Sequence, residues 1–252
     1  MAGPRCGPEI VIVVRRQRFT IAASRCLSTV LLPRTLLVGA AIAFIAVIPT
    51  ALAGGGAPRQ PRHELNAGDM RRARAAVLTS ADLPSWGFRS DPGAVPQIPV
   101  CGDYPGDRSG TTETGKATSS FSAGTPIIGS KVLFFKTPPD LDRYWKLTVR
   151  KRFASCDVQT WARDRRDMAA KPVWSGQLPL GATGADDAVA FRSVIQTSTA
   201  KYPRLNWYRT FVFIRHGRGL AILMSGEAVR PCTCYTTVAR RLALRLIDAS
   251  VG

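Results

Sequence analysis

Six cysteines and two histidines carry most of the chemistry open to this chain of 252 residues. Cys6 and Cys26 lie in a basic N-terminal stretch; Cys101, Cys156, Cys232 and Cys234 lie beyond it. An even set of cysteines outside the cytoplasmic membrane usually forms disulfides. Four cysteines allow three pairings. The one favoured is Cys101–Cys156, which leaves Cys232 and Cys234 to pair with each other or stay reduced. The alternative staples the Cys-x-Cys pair, at the start of the last helix, to the first two. A bridge closing a loop of about 55 residues contributes ~4 kcal/mol on the chain-entropy model. Zinc is a poor fit, because the Cys-x-Cys pair has no second ligand cluster and His63 and His216 sit in no ligand spacing.

Hydrolytic chemistry has little to work with. The chain has no G-x-S-x-G, no phosphate-binding G-x-x-x-x-G-K-[ST], no H-E-x-x-H and no EF-hand loop. A Ser-His-Asp hydrolase would have to use His216, which falls in a Gly-rich turn where histidine is ordinarily a solvated residue. Asp186-Asp187 and Asp164 with Asp167 are paired carboxylates of a kind that can cleave glycosides. Acids that open a strand or flank arginines on a helix are more often surface groups. No catalytic, cofactor or metal residue is therefore expected.

The strongest bias is charge. Lys+Arg number 35 against 17 Asp+Glu, a net charge of +18. Arginines cluster at Arg71, Arg72 and Arg74 and again at Arg240, Arg241 and Arg245. Such faces could meet anionic lipid or cell-wall polymer, or could be solvated helix surfaces. Nucleic acid is not expected as a partner, since no aromatic-basic binding motif accompanies the charge.

Part of the charge has a topological reading. Residues 1–34 hold six arginines and one acid, and residues 35–58 hold no charge. The apolar run from Leu36 to Ile48, then Pro49 and Ala51-Leu52-Ala53 before Gly54, has the three parts of a secretory signal. Cleavage would fall between Ala53 and Gly54. The same run at 35–53 could instead remain as a membrane anchor, near the lower length limit for a span. Either way residues 1–34 stay in the cytoplasm and the remainder lies outside. The remainder is still basic, with 35 − 6 = 29 basic against 17 − 1 = 16 acidic residues.

The elements that must position these groups follow from periodicity. Residues 54–66 have the Gly/Pro-rich composition of a linker, and 67–252 form the exported domain. Helices are expected from Ala67 to Leu78, from Pro138 to about Ala154 and from Pro231 to Ala249. Strands are expected near Ala117–Ala123, at Ser130–Thr137, Asp187–Ser198, Trp207–Arg215 and Leu220–Ser225. The last three suit an antiparallel meander, with His216-Gly217-Arg218-Gly219 as a hairpin turn. The aromatics Trp86, Phe134, Phe135, Tyr144, Trp145, Trp174, Phe191, Trp207, Phe211 and Phe213 read mostly as core. Phe211–Ile214 is apolar on both faces, which requires helices on both sides of the sheet or a cavity on one. The fold class is α+β, a curved antiparallel sheet with packed helices behind an N-terminal signal or transmembrane segment.

The order of these pieces resembles a known group. It runs from LTSADLPSWG (Leu78–Gly87) through a first Cys, SKVLFF, an amphipathic helix and Cys156. AVAFR (Ala188–Arg192), VFIRHGRGLAIL (Val212–Leu223) and a final basic helix complete it. The layout is similar to the extracellular sensor domain of mycobacterial serine/threonine kinases, with a PsbP-like fold as the near alternative. The resemblance implies ligand sensing outside the cell and matches Cys101 with Cys156 best; the Cys232/Cys234 pair departs from it. The expected function is an exported, non-enzymatic binding or sensor-type domain for an unknown small ligand or envelope component. The alternatives are an envelope hydrolase using His216 and a structural protein held by its basic faces.

Overall fold

A computed structural model of the chain describes residues 59–83, 87–93, 95–199 and 204–251. The expected export segment, the Ala53–Gly54 cleavage position, Cys6, Cys26 and Trp86 lie outside the described residues. Among the described residues no helix is long and apolar enough to cross a membrane.

The elements in order are β1 (Arg62–His63), α1 (Ala67–Ala76), β2 (Arg89–Ser90), β3 (Thr112–Ser122), β4 (Ile127–Phe135), α2 (Pro138–Thr148), α3 (Arg152–Asp164), β5 (Lys171–Leu178), β6 (Asp187–Thr197), β7 (Leu205–His216), β8 (Gly219–Ala228) and α4 (Tyr235–Val251). The strands form one sheet in the order β1-β3-β4-β8-β7-β6-β5, with β2 also on β3. Every pairing is antiparallel except β1 with β3. The mixed α+β class stands. Arg62 and His63 pair with Thr112 and Glu113, so this part of the expected linker runs along the sheet edge.

Local chemistry sets the helix starts. Asn66 caps α1, its side chain accepting from the Asp69 N–H at 2.9 Å. Thr137 caps α2 in the same way, ahead of two prolines that cannot donate and so fit the first turn. The single helix expected from Pro138 to Ala154 is two. The chain leaves helical geometry at Val149 and restarts at Arg152, so Cys156 lies inside α3 rather than past a helix end. The reason is angular. Residues nine apart on a continuous helix sit about 180° around it. Tyr144 and Phe153 would then point apart, and the break lets both bury against the same side of the sheet.

Both faces of the sheet are covered. On one, α1 and α4 pack Ala73, Ala76, Ala239, Leu242, Ala243 and Leu246 over residues such as Val132, Phe134, Val212 and Leu223. On the other, α2 and α3 bring Leu141, Tyr144, Phe153 and Cys156 against Phe135, Phe191, Phe211 and Phe213. Period-2 alternation sorts Phe211 and Phe213 to one face and Val212 and Ile214 to the other. The turn from β7 to β8 is tight, with His216 paired to Gly219 and Gly217 at φ +56°.

Candidate functional site

A cleft of about 700 Å³ opens on the α2/α3 face at the end of the sheet where β4 begins and β8 ends. Its floor is β7, whose alternation places Trp207, Arg209 and Phe211 on one side. One wall is α3. Asp157, Thr160, Trp161 and Asp164 stand at i, i+3, i+4 and i+7, a single helix face, and all line the cleft. The opposite wall is the segment from Val95 to Val100. Ile195 and Met224 add apolar surface.

The polar centre of the cleft is an ion pair. Arg209 Nη2 lies 2.5 Å and Nε 3.2 Å from the two oxygens of Asp157, a two-point contact. The guanidinium also lies 4.4 Å from the Trp161 ring centroid and 5.6 Å from that of Phe211. Asp157 is 1% exposed. Burial pushes its carboxyl up, against the pull of Arg209 and the Ser193 hydroxyl. The Thr160 hydroxyl is buried and makes no hydrogen bond. The arrangement is an aromatic, mostly apolar recess with one fixed dipole and one unpartnered hydroxyl in its wall. That suits holding a ligand body, with polar points that orient it.

A disulfide joins Cys101 to Cys156, with Cα atoms 5.8 Å apart. Cys156 precedes Asp157 in α3, so the bridge ties the Val95–Val100 wall to the helix that carries the ion pair. Cys232 and Cys234 are also bonded to each other, at the start of α4.

The remaining sequence-predicted residues are scattered. His216 Nδ1 lies 2.8 Å from Asp186, which also accepts the Gly217 N–H at 2.8 Å; the pair holds the β7–β8 turn to the start of β6. Among the described residues no hydroxyl or thiol hydrogen-bonds His216. Asp187 faces Arg215 at 3.7 Å, and Asp164 faces Arg163 at 3.7 Å. Asp167 is exposed, and His63 lies 3.2 Å from Glu113. Among the described residues no cluster of His, Cys, Asp and Glu is placed to hold a metal ion.

The arginines divide. Arg71, Arg74 and Arg240 are exposed. Arg72 bonds Asp69 at 3.1 Å. Arg241 donates to the Asp82 carbonyl at 2.6 Å, and Arg245 meets the Asp82 carboxylate at 2.8 Å and Thr79 Oγ1 at 3.1 Å. Half of the expected surface contacts therefore fasten the helices of that face. Trp174, expected in the core, is 45% exposed on β5. An edge strand has one side without a neighbour, which leaves the ring uncovered.

Sequence reasoning missed Asp157, Trp161 and Arg209. The Trp-x-Arg-x-Phe alternation at 207–211 and the helical spacing of 157–164 were the available signals. What hid them was ending the helix near Ala154, which gave residues 155–164 no element to stand on.

No family model and no curated protein matches the chain. Among solved structures it is similar to the extracellular domain of PknH from Mycobacterium tuberculosis, at 12% identity and a TM-score of 0.43, covering 71% of this chain and 96% of that one. This is weak fold-level similarity and brings no functional residue across.

Proposed function

We propose that this domain is an exported, non-enzymatic binding or sensor-type module that holds a small, mainly apolar ligand in the cleft between α3, β7 and the Val95–Val100 segment. The observation that carries the reading is the cleft itself, a recess of about 700 Å³ with Trp161, Trp207 and Phe211 around the Arg209–Asp157 pair. Apolar walls with a few convergent polar groups are the usual make-up of a ligand pocket. The Cys101–Cys156 bridge favours an oxidising compartment outside the cytoplasm. The ligand is an envelope or extracellular small molecule with an apolar body and one polar group facing Arg209 and Thr160.

The test fills the cleft. Thr160→Trp places a large ring on the cleft side of α3 and leaves both cores untouched. Binding is followed by intrinsic tryptophan fluorescence against a panel of amphipathic aromatic and acyl probes. The expected result is saturable binding to the native chain and at least tenfold weaker binding to the variant, with unchanged unfolding midpoints. Equal binding by the filled variant would falsify the cleft as the site.

A further inference from the structure

On the face of the sheet away from the cleft, α1 and α4 lie against each other, and their outer sides form one surface. Arg245 joins the two, donating to the Ala75 carbonyl at 3.3 Å and to Thr79 Oγ1 at 3.1 Å. The inner sides are apolar, as packing on the sheet requires. The outer side of such a helix is ordinarily polar throughout. That of α4 is not. Leu244 is 51% and Val251 83% exposed, and Ile247 between them is half-buried. With about 3.6 residues per turn, Arg240, Leu244 and Val251 fall within roughly 40° of one another, on the side of α4 opposite the buried Leu242 and Leu246.

The charge beside this apolar stripe has one sign. Arg71 and Arg74 of α1 and Arg240 of α4 are exposed, and among the described residues none of the three is in an ion pair. Arg241 donates to a carbonyl and so keeps its charge. Asp69 is buried under Arg218 and Arg72, which leaves Asp248 as the one exposed carboxylate on the two helices. The α2/α3 face shows the contrast. It is also rich in Lys and Arg, but Asp140, Asp142 and Asp164 stand among them, and among the described residues no large apolar side chain of α2 or α3 is as exposed as Leu244. A merely solvated surface calls for the arginines of α1 and α4 but not for Leu244 and Val251. A second copy of this chain on the same patch would set arginines against arginines. Cations flanking exposed apolar side chains on one helix side suit a lipid interface, where guanidinium groups meet phosphate and apolar groups enter the headgroup boundary.

We propose that the outer surface of α1 and α4 docks on an anionic phospholipid bilayer. Arg71, Arg74 and Arg240 meet the lipid phosphates, and Leu244 and Val251 enter the headgroup boundary. The cleft opens on the opposite face of the sheet, so docking turns its mouth away from the lipid and leaves it free.

The test uses the full chain with vesicles of equal parts phosphatidylglycerol and phosphatidylcholine, against vesicles of phosphatidylcholine alone. Sedimentation with vesicles does not identify the docking face, because the apolar run from Leu36 to Ile48 can enter either lipid by itself. The readout is therefore hydroxyl-radical labelling of single side chains, followed by mass mapping. The expected result is labelling of Leu244 and Val251 at least about threefold slower on the phosphatidylglycerol vesicles and unchanged on phosphatidylcholine. The free rate should return in about 1 M salt, where charges are screened within about 3 Å. Arg71→Gln, Arg74→Gln and Arg240→Gln together should abolish the slowing with the unfolding midpoint kept, since all three side chains are exposed. Trp161, in the cleft, should label alike with and without vesicles. Unchanged labelling of Leu244 and Val251, equal slowing on both lipids, or equal slowing at Trp161 would each overturn the proposal. Slowing that grows with protein concentration in the absence of lipid would overturn it too, and would assign the surface to a second copy. Should the triple variant not fold, the salt arm on the native chain decides alone.

Discussion

The two faces of the sheet are built from different materials. The α1/α4 face is assembled from small residues: Ala73, Ala76, Ala190, Ala221, Ala239 and Ala243 are all fully buried there. Backbones come close as a result. A Cβ at Gly115 would lie 2.4 Å from the Asp69 carbonyl oxygen, and one at Gly219 would lie 2.8 Å from Leu246 Cδ1. The α2/α3 face is assembled from rings. Phe153 is its hub, with Phe191, Phe211 and Phe213 at centroid distances of 5.4, 4.9 and 4.9 Å and Tyr104 at 6.5 Å. Small residues make a seam that closes along its length. Rings fill the centre but leave the end of the sheet open, and that opening is the cleft. The lesson is that side-chain size decides which face has room for a ligand.

The largest expected effect breaks the ring face at its hub. Phe153→Ala should cost about 3–5 kcal/mol in urea unfolding, because four neighbouring rings lose a shared partner. The matching insult on the other face is Ala243→Leu, which adds volume to a closed seam and should cost about 1–3 kcal/mol. A reversed order of these two losses would contradict the contrast between the faces.

The next effect sets two carboxylates of the seam side apart by pH. Asp69, on the seam side, receives Arg218 at 2.6 and 2.7 Å and Thr114 Oγ1 at 2.6 Å. Burial alone would raise its carboxyl; the bonds from Arg218, Thr114 and Asn66 outweigh it and hold the carboxyl far below the usual range. The unfolded chain therefore takes up this proton first as pH falls. The contribution is fully present above the ordinary value of 3.8 and is lost below it. Asp69→Ala should cost about 2–3 kcal/mol at neutral pH, discounted for the partial exposure of Arg218, and should flatten the acid limb of stability. Glu227, buried near the end of β8 on the same face, has the opposite sign, because burial pushes its carboxyl up. Its folded value of about 7 lies above the ordinary 4.5, so its contribution is fully present below 4.5 and is lost as pH rises to about 7. Urea midpoints from pH 2 to 9 check both windows.

The smallest effect concerns the exposed arginines. Arg71, Arg74 and Arg240, changed one at a time to Ala, should each shift stability by less than about 0.5 kcal/mol. Arg245→Ala should cost more, since it strips Asp82 of a partner at 2.8 Å. A comparison of thermal midpoints distinguishes them.

The strands that make the centre of the sheet were legible because their sequences carry the burial. Phe211–Ile214 and Leu220–Leu223 are apolar and fully buried, and they emerged at nearly the right bounds. α3 was not legible as a separate helix, since Cys156-Asp157-Val158-Gln159-Thr160 carries no break signal of its own. The break depends on Tyr144 and Phe153 needing the same face, which only the assembled sheet imposes. β5 escaped for the opposite reason: Lys171, Pro172, Val173 and Trp174 are all exposed, so no alternation marks them. The cleft residues lie on recognisable periods, but their meeting requires α3 to lie across β7, and no local period encodes that.

One consequence follows from β5 standing last in the sheet. Its outer edge is a row of backbone groups ready to accept another strand, and Val173 and Trp174 beside it are 53% and 45% exposed. The strand carries its own safeguards. Pro172 offers no donor, Lys171 places a charge at the end, and the register slips between Pro172 and Trp174. A proline, a charge and a bulge are the features that discourage one copy from zippering onto the next. Concentrated solutions should thus be limited by the sticky ring of Trp174 before any growth of the sheet from chain to chain.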